Sequence, residues 1–357
     1  MMESNATEGA AVQLGLEGFD LSWGEATLNA PARKPRKKRA TPKPPAPSLS
    51  LEDMALALES SADYRVLRRL PQRLSFPSAE AGASLQRVAI IDTETTGLSA
   101  EHDRIIELAM VVVAVDTERG CPVGEVQVFD GFEDPGRPLS AEIVALTGIT
   151  DDMVRGQRLD EAAVASALAD VTWVVAHNAA FDRPFVEARF SQFAQLPWAC
   201  SFADLDWKAL GRASAKLEAL AADAGWFYDA HRADADCHAL LAVLAQPMGD
   251  AGTGLHQLWR RSQAMQYRLS AVGAPFETKD ALKARGYRWD AQARVWSLRL
   301  RDEAALDAER QWLATQVYAN PRAPIRVERQ DAYTRYSPRA GDVQVEPLMA
   351  DARGPGA

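Results

Sequence analysis

The sequence predicts an α/β domain in which helices flank a mixed sheet. Residues 87–92 form an apolar run that ends in an acid, which is typical of a buried central strand. Residues 104–115 and 123–132 have the composition of two further strands, with turn residues between them. After Pro138, helical patterns alternate with one more apolar strand at residues 171–176. A meander followed by this alternation favours a mixed sheet covered by helices.

The chain divides into five predicted segments. Its 357 residues exceed the length of one average domain. The first 50 residues alternate prolines with lysines and arginines and cannot bury a core, whereas residues 53–70 have apolar residues at helical spacing. Residues 268–319 show a strand, a helix, two short strands and a helix. The segments are a disordered basic tail (1–50), a helical lead-in (51–86), the mixed-sheet domain (87–248), a small α+β domain (268–330) and a polar tail (331–357).

Charge is unevenly distributed along the chain. The formal net charge is −9, but residues 33–43 contain seven basic residues and no acidic one, so the remainder carries −16. A net-acidic body argues against a protein that coats nucleic acid by bulk charge, but not against one that handles it at a local site. The position of the acids therefore matters more than their number.

The sequence predicts a soluble cytoplasmic protein that has no contact with a membrane. Its three cysteines have no paired spacing that would indicate disulfides or a zinc site. Residues 1–10 lack the basic and apolar regions of a secretory signal. The longest apolar runs, such as residues 110–115, have the length of a strand and not of a membrane span.

Two carboxylates lie side by side at the end of the predicted central strand. Asp92 and Glu94 point to the same side, because side chains alternate along a strand. At about 4 Å and an effective dielectric constant of about 20, a pair of like charges costs about 4 kcal/mol. Such a pair needs a bound cation or a shared proton, and hard oxygen ligands suit magnesium or manganese.

Further acids begin two predicted helices. Asp182 lies in the first turns of the helix after residues 171–176, and Asp236 lies one turn into a helix that follows His231. Asp234 is the competing acid, but two positions along a helix rotate its side chain by about 200° away from Asp236. Taken singly, each residue also has a structural interpretation, as a turn residue, a helix cap or an acid favoured by the helix dipole. Together they predict one site of converging carboxylates.

These residues resemble the motifs of the DEDDh exonucleases, the family of the proofreading epsilon subunit of bacterial replicative polymerase and of ribonuclease T. Residues 92–97 (Asp-Thr-Glu-Thr-Thr-Gly) match the first motif, residues 177–182 the second and residues 231–236 the third, in the family's order. His231 separates the chain from the sister branch that has a tyrosine there. The resemblance implies a ribonuclease-H-like fold over residues 87–245.

The resemblance also implies a role for each residue. Two divalent ions, Mg²⁺ or Mn²⁺, would hold the attacking water and the leaving 3′ oxygen. Asp92 would bridge both ions, and His231 would accept the proton of the water as general base. The expected metal ligands are Asp92, Glu94, Asp182 and Asp236. The expected substrate-binding residues are Thr95, Thr96, Gly97, Leu98 and Asn178, with a structural hydrogen bond as an equal alternative for Asn178.

The implied activity is a 3′–5′ exonuclease that releases nucleotides from DNA 3′ ends in proofreading or repair, with single-stranded DNA favoured. An exoribonuclease that trims RNA 3′ ends is the first alternative, because both activities use the same site. The second alternative is a replication-associated adaptor with vestigial catalysis, which the complete set of catalytic residues disfavours. A polymerase or a sliding clamp is the expected protein partner.

Two segments outside the motifs leave alternatives open. Residues 13–19 (Gln-Leu-Gly-Leu-Glu-Gly-Phe) resemble the peptides by which bacterial replication proteins dock on the sliding clamp, and the alternative is a nascent amphipathic turn. The small C-terminal domain interleaves cations with Tyr287, Trp289 and Trp296. This pattern is typical of nucleic-acid binding, but large aromatics are also what a small core needs. The cations are Lys279, Lys283, Arg285, Arg288, Arg294, Arg299 and Arg301.

Overall fold

The structure, a computed structural model, describes residues 49–291 and 293–349. Its helices are α1 (Leu51–Glu59), α2 (Ala141–Thr147), α3 (Asp151–Val154), α4 (Glu161–Leu168), α5 (Ala179–Arg189), α6 (Ser201–Asp204), α7 (Leu217–Asp223), α8 (Ala233–Leu244), α9 (Gly254–Ser262), α10 (Lys279–Arg285) and α11 (Glu303–Gln316). Its strands are β1 (Arg68–Arg69), β2 (Leu85–Thr95), β3 (Ile105–Asp116), β4 (Cys121–Phe132), β5 (Trp173–Ala176), β6 (Trp198–Cys200), β7 (Trp226–Phe227), β8 (Gln266–Ala271), β9 (Arg288–Asp290), β10 (Val295–Leu300), β11 (Pro324–Gln330) and β12 (Asp342–Pro347).

Five strands form the central sheet, in the order β4-β3-β2-β5-β6. β2, β3 and β4 are antiparallel neighbours, whereas β5 and β6 run parallel to β2. β2 lies in the middle, and its residues from Val88 to Ile91 have no solvent exposure. The predicted mixed sheet is therefore confirmed, and it has the ribonuclease-H-like order that the resemblance implies.

Helices cover both faces of this sheet because β2 is apolar on both sides. Val88 and Ile90 pack with residues of α7, α8 and α9, whereas Ala89 and Ile91 pack with residues of α4 and α5. Such an uninterrupted run of branched and small apolar residues is what a strand buried on both faces requires. The carboxyl ends of β2, β5 and β6 share one edge of the sheet, which we call the carboxyl edge, and the chain enters α5 and α6 there.

The lead-in differs from the helix expected across residues 53–70. Helix α1 ends at Glu59, and β1 then pairs in parallel with β7. The backbone N–H groups of Arg68 and Leu70 donate to carbonyl oxygens of residues 225 and 227, both at 2.9 Å. The serine-rich stretch after Glu59 has low helix propensity, and the strand pairing satisfies the backbone groups that a helix would otherwise satisfy.

A second five-stranded sheet, in the order β12-β11-β8-β10-β9, forms the C-terminal domain. The predicted strand, helix, two strands and helix correspond to β8, α10, β9, β10 and α11. Leu282 of α10 and Leu306 and Leu313 of α11 pack on Leu269 and Val327 of the sheet. Strands β11 and β12 were not expected from the sequence, and β12 lies within the segment 331–357 that was expected to be a tail.

Residues 331–339, which we call the C-terminal strap, fold against helix α5. Arg183 of α5 is fully buried, and its guanidinium donates to the carbonyl oxygens of Ala332 (3.1 Å), Tyr333 (2.6 Å) and Arg335 (2.6 Å). Glu187 of α5 accepts hydrogen bonds from Arg183 (2.6 Å) and from the strap residues at 337 and 339. The polar composition of this segment suggested a tail. The contacts of Arg183 could not be predicted from it, because they are made to backbone carbonyls.

The predicted basic tail and the segment 13–19 lie outside the described residues, apart from positions 49 and 50. Within the described part of the chain, none of the helices combines the length and the apolar composition that crossing a bilayer requires.

Candidate active site

The first two predicted acids occupy the carboxyl edge of the central strand. Asp92 pairs across the sheet with Ala109, and Glu94 pairs with Glu107 of β3. Burial raises the pKa of Asp92 well above its usual range, and the charges of Asp182, Asp236 and Glu94 raise it further. Burial also raises the pKa of Glu94 to about 8. Both shifts mean that the carboxylates repel one another in a weakly solvated place.

Helix α5 brings Asp182 to the same strand. The backbone N–H and the hydroxyl of Thr93 donate to Oδ1 of Asp182, at 3.1 and 2.8 Å. Burial raises the pKa of Asp182 to about 7, although these two hydrogen bonds act in the opposite direction. Thr93 therefore fixes the second-motif acid beside the first motif.

The amino-terminal turn of α8 supplies Asp236. Its Oδ1 accepts from the hydroxyl of Tyr228 at 2.8 Å, and its Oδ2 accepts from the backbone N–H of His231 at 2.9 Å. One carboxylate oxygen from each of Asp92, Glu94 and Asp236 lies within 4.8 Å of the others. These three residues and Asp182 make up the acid cluster.

Asp234, the competing acid, faces elsewhere. Its Oδ2 accepts from Nε2 of Gln72 at 2.6 Å, and its Oδ1 lies 3.5 Å from Nε2 of the buried His238. The rotation of two helical positions therefore separates Asp234 from the acid cluster, as the sequence predicts.

The predicted base, His231, is exposed and precedes α8 with a left-handed backbone (φ 62°). Its ring lies close enough to Asp236 to lower the pKa of that carboxyl, against a larger upward effect of burial. The other motif histidine, His177, is more buried, and Nδ1 lies 2.7 Å from the Ser201 hydroxyl. Burial lowers the pKa of His177 to about 4, so His177 stays neutral and joins the loops after β5 and β6.

The turn after β2 holds its own side chains in place. The Thr95 hydroxyl donates to the carbonyl oxygen of Gly97 at 2.6 Å. The Thr96 hydroxyl and Nη2 of Arg137 both bond to Asp103 Oδ1, at 3.1 and 2.7 Å. A Cβ on Gly97 would lie 2.5 Å from the Asp103 carboxylate, so a glycine is needed for this close approach. Both threonine hydroxyls are thus used within the turn.

A match to a family model described as an exonuclease covers residues 89–244, which contain all three motifs and the acid cluster. These residues are a DEDDh exonuclease domain. The DNA polymerase III PolC-type protein of Bacillus subtilis is 41% identical over 113 residues, which are 30% of this chain and 7% of that protein. Its counterpart in Halalkalibacterium halodurans is 42% identical over 106 residues, 29% of this chain and 7% of that protein. The chain thus spans about 7% of the length of these curated relatives.

Solved structures similar to the exonuclease domain include two complexes with DNA. One is Exonuclease X in complex with 5′ overhanging duplex DNA, with 28% identity, 48% of this chain and 96% of that chain covered, and a TM-score of 0.36. The other is Exonuclease I of E. coli in complex with a dA16 oligonucleotide, with 17% identity, 51% and 48% coverage, and a TM-score of 0.37.

Two of the expected substrate-binding residues of the exonuclease domain line one groove. Leu98 is 84% exposed, and Asn178 has a left-handed backbone (φ 70°) and does not cap α5 with its side chain. The groove encloses about 320 Å³. Its lining residues are Leu98, Ala100, Asn178, Ala180, Phe181, Pro184 and Phe185.

Four residues of the site make contacts that the sequence did not predict. Glu107 is fully buried and accepts from Nη2 of Arg232 (2.7 Å) and from the N–H of Ala233 (3.0 Å), which ties the start of α8 to β3. An acid in the apolar run of β3 was a visible signal for Glu107. Thr93 and Arg232 lie within the first and third motifs, but their partners are 89 and 125 positions away in the sequence. Tyr228 lies 8 positions before its partner Asp236, outside the motifs.

Proposed function

We propose that the chain is a metal-dependent 3′–5′ exonuclease that releases nucleotides from DNA 3′ ends, in proofreading or repair. The observation that carries this proposal is the acid cluster, in which oxygens of Asp92, Glu94 and Asp236 lie within 4.8 Å of one another. The family match supports hydrolysis of nucleic acid from an end.

The donor set of the acid cluster fits divalent ions. All four side chains offer oxygen ligands, which magnesium and manganese prefer. The raised pKa values of Asp92, Glu94 and Asp182 reflect carboxylates that a cation would stabilise in their charged form. Arg232, a neighbouring cation, is engaged by Glu107. When bound, two Mg²⁺ or Mn²⁺ ions would neutralise the phosphodiester and the charge that develops on the attacking and leaving oxygens.

Different side chains would bind the ions, accept the proton and hold the nucleotide. Asp92, Glu94, Asp182 and Asp236 would hold the ions. His231 is exposed beside Asp236 and is free to take the proton from the attacking water. The groove at Leu98 and Asn178 would hold the terminal nucleotide, and the backbone of residues 95–97 would contact it, because the threonine hydroxyls are used within the turn.

Two observations favour DNA over RNA. The matched relatives are DNA polymerases by name, although this chain spans only a small share of their length. The C-terminal domain also extends the chain beyond the length usual for minimal RNA-trimming relatives. We further propose a cytoplasmic protein with a polymerase or sliding clamp as partner, with single-stranded DNA ends as the favoured substrate.

One assay tests the proposal. End-labelled single-stranded DNA, duplex DNA and RNA are incubated with the protein in magnesium, in manganese or in chelator. We expect labelled 3′ nucleotides to be released from single-stranded DNA first, and only with a divalent ion. Preferential digestion of RNA would support the exoribonuclease instead, and digestion of none of the three would support the adaptor.

A further inference from the structure

The C-terminal sheet has one face that its own helices leave uncovered. Helices α10 and α11 pack on the side of Leu269 and Val327. Directly paired residues of antiparallel strands share a face, so the strand register defines the rows on the opposite side. One row consists of Arg288, Ser297, Ser270 and Arg326, and the next of Arg299, Arg268 and Glu328.

Most arginines on this face lack an acidic partner. Glu328 is engaged by Arg268, whose Nε lies 2.7 Å from Oε2. Asp290, at the end of β9, accepts a backbone N–H of its own turn at 2.8 Å. Among the described residues, the arginines of this face with no carboxylate oxygen within 4.0 Å are Arg288, Arg299 and Arg326. Arg288 and Arg299 are exposed and therefore carry positive charge without an acidic partner, whereas Ser270 and Glu328 on the same face are buried.

Three arginines of the C-terminal domain lie in neighbouring positions, one in β9, one in β10 and one directly after β10. Arg299 lies in β10, and Arg301 follows directly after that strand ends at Leu300. Arg288 of β9 pairs with Ser297 of β10, which lies two positions before Arg299. Arg301 reaches the exonuclease domain, where its Nη2 lies 3.1 Å from Oδ2 of Asp206. We call Arg288, Arg299 and Arg301 the arginine line.

The arginine line ends beside the carboxyl edge of the central sheet. The guanidinium of Arg299 lies 5.5 Å from the ring centre of Tyr336 in the strap. The hydroxyl of Tyr336 donates to Oδ1 of Asp204 at 2.7 Å, and Oδ2 of Asp204 accepts the N–H of Cys200 at 2.8 Å. Ser201, the next residue, contacts His177 of the second motif. A continuous set of contacts thus links Arg299 to the second motif.

We propose that the arginine line binds the single-stranded segment of the substrate that lies on the 5′ side of its 3′ end. The inference rests on the proposed exonuclease function, because it assumes a 3′ end in the groove at Leu98 and Asn178. Arginines bind phosphates through charge-assisted hydrogen bonds. A single row of cations suits one extended phosphate backbone, whereas a duplex presents two phosphate backbones.

Binding is measured without hydrolysis, in the full chain with Asp92→Ala and in chelator. Fluorescence anisotropy reports the affinity for a thymidine oligonucleotide of about 20 nucleotides over a range of salt concentrations. Each lost phosphate contact should lower the slope of log K against log salt by about 0.7 for a single strand. We expect the double variant Arg288→Ala/Arg299→Ala to lower this slope by about 1.4.

The matched control removes two cations of α10 in the same domain, the half-buried Lys279 and the exposed Lys283, with Lys279→Ala/Lys283→Ala. We expect this control to leave the salt slope unchanged. An unchanged slope in the arginine variant would overturn the proposal and favour an acidic protein surface as the occupant. An equal loss in both variants would overturn it in favour of unspecific charge.

A kinetic assay with Asp92 intact separates this inference from the proposed function. We expect the arginine variant to raise KM for the long oligonucleotide with kcat unchanged, and to leave hydrolysis of a trinucleotide unchanged. An equal effect on the trinucleotide would overturn the proposal, because the active site itself would then be disturbed. If the unmodified protein hydrolyses nothing, the exonuclease proposal fails while the binding assay still reports on the arginine line.

Discussion

Helix α5 carries two adjacent buried charges whose surroundings are opposite. Asp182 faces the acid cluster, and burial raises its pKa to about 7. Arg183, the next residue, faces the C-terminal strap, where three carbonyl oxygens and Glu187 accept its donors. Burial lowers the pKa of Arg183 to about 10 while Glu187 acts in the opposite direction. The acid cluster thus concentrates like charges at a cost in stability, whereas the contacts of Arg183 with the strap stabilise the fold.

The sharpest test of this difference is Asp92→Ala. Because even the partners of metal ligands are worth about 10–100-fold in activity, we expect loss of this ligand to reduce metal-dependent nuclease activity by more than about a hundredfold. The metal-free protein should stay folded, since the substitution relieves repulsion. Nuclease assays and thermal unfolding check both points, with the exposed Asp152→Ala as control. Full activity in Asp92→Ala would refute the metal site.

Replacing the base should affect the reaction and not the metals. We expect His231→Ala to slow hydrolysis by about 10²–10⁴-fold, the usual contribution of general base catalysis. Stabilisation of the protein by magnesium should be unchanged, because His231 contributes no ligand. Single-turnover rates and thermal unfolding with added magnesium measure the two effects. His102→Ala is the control, since that side chain is 76% exposed. Equal rates in the two variants would remove His231 as the base.

Removing the contacts between Arg183 and the strap should lower the stability of the fold. We expect Arg183→Met to lower the free energy of unfolding by about 3–5 kcal/mol, because it removes a buried cation that donates to three carbonyl oxygens and pairs with Glu187. Urea unfolding measures the change. Arg158→Met breaks an exposed ion pair with Glu161 and should cost less than about 1 kcal/mol. If the two variants lose the same stability, the strap does not stabilise the fold as described.

The smallest expected effect is a pH dependence of the metal-free protein. The pKa of Glu94 rises from its ordinary 4.5 to about 8 in the folded state. The folded protein therefore retains a proton that the unfolded chain loses, and stability falls as pH rises through this window. We expect Tm in chelator to fall by at least about 3 °C as the pH rises from 4.5 to about 8. Glu94→Gln should flatten this fall, and the exposed Glu142→Gln should not. A Tm that rises over the window would contradict the shift.

The sequence predicts the exonuclease domain well because its signals are local. The apolar run before Asp92 defines the central strand, and helical rotation separates Asp236 from Asp234. The strap could not be predicted in this way. Its stability comes from hydrogen bonds between Arg183 and carbonyl oxygens about 150 positions away, and backbone carbonyls have no signature in a sequence.

The C-terminal domain shows why an interleaved pattern of cations and aromatics is ambiguous. Tyr287 is buried in its core, and Trp296 packs against that core. Arg285 pairs with Glu309. Arg288, from the same stretch of sequence, is exposed on the uncovered face. Neighbouring residues on a strand point in opposite directions, so one stretch supplies both the core and the surface.

The position of the strap also determines when the exonuclease domain can finish folding during synthesis. Arg183 is made early, but its acceptors lie 149–152 positions further along the chain. Pairings this far apart in sequence close slowly, and a ribosome adds only about 5–20 residues each second. A nascent chain that has completed all three motifs therefore still lacks the segment that holds α5. The packing of α5 therefore depends on a segment that is synthesised after the third motif and after strand β11.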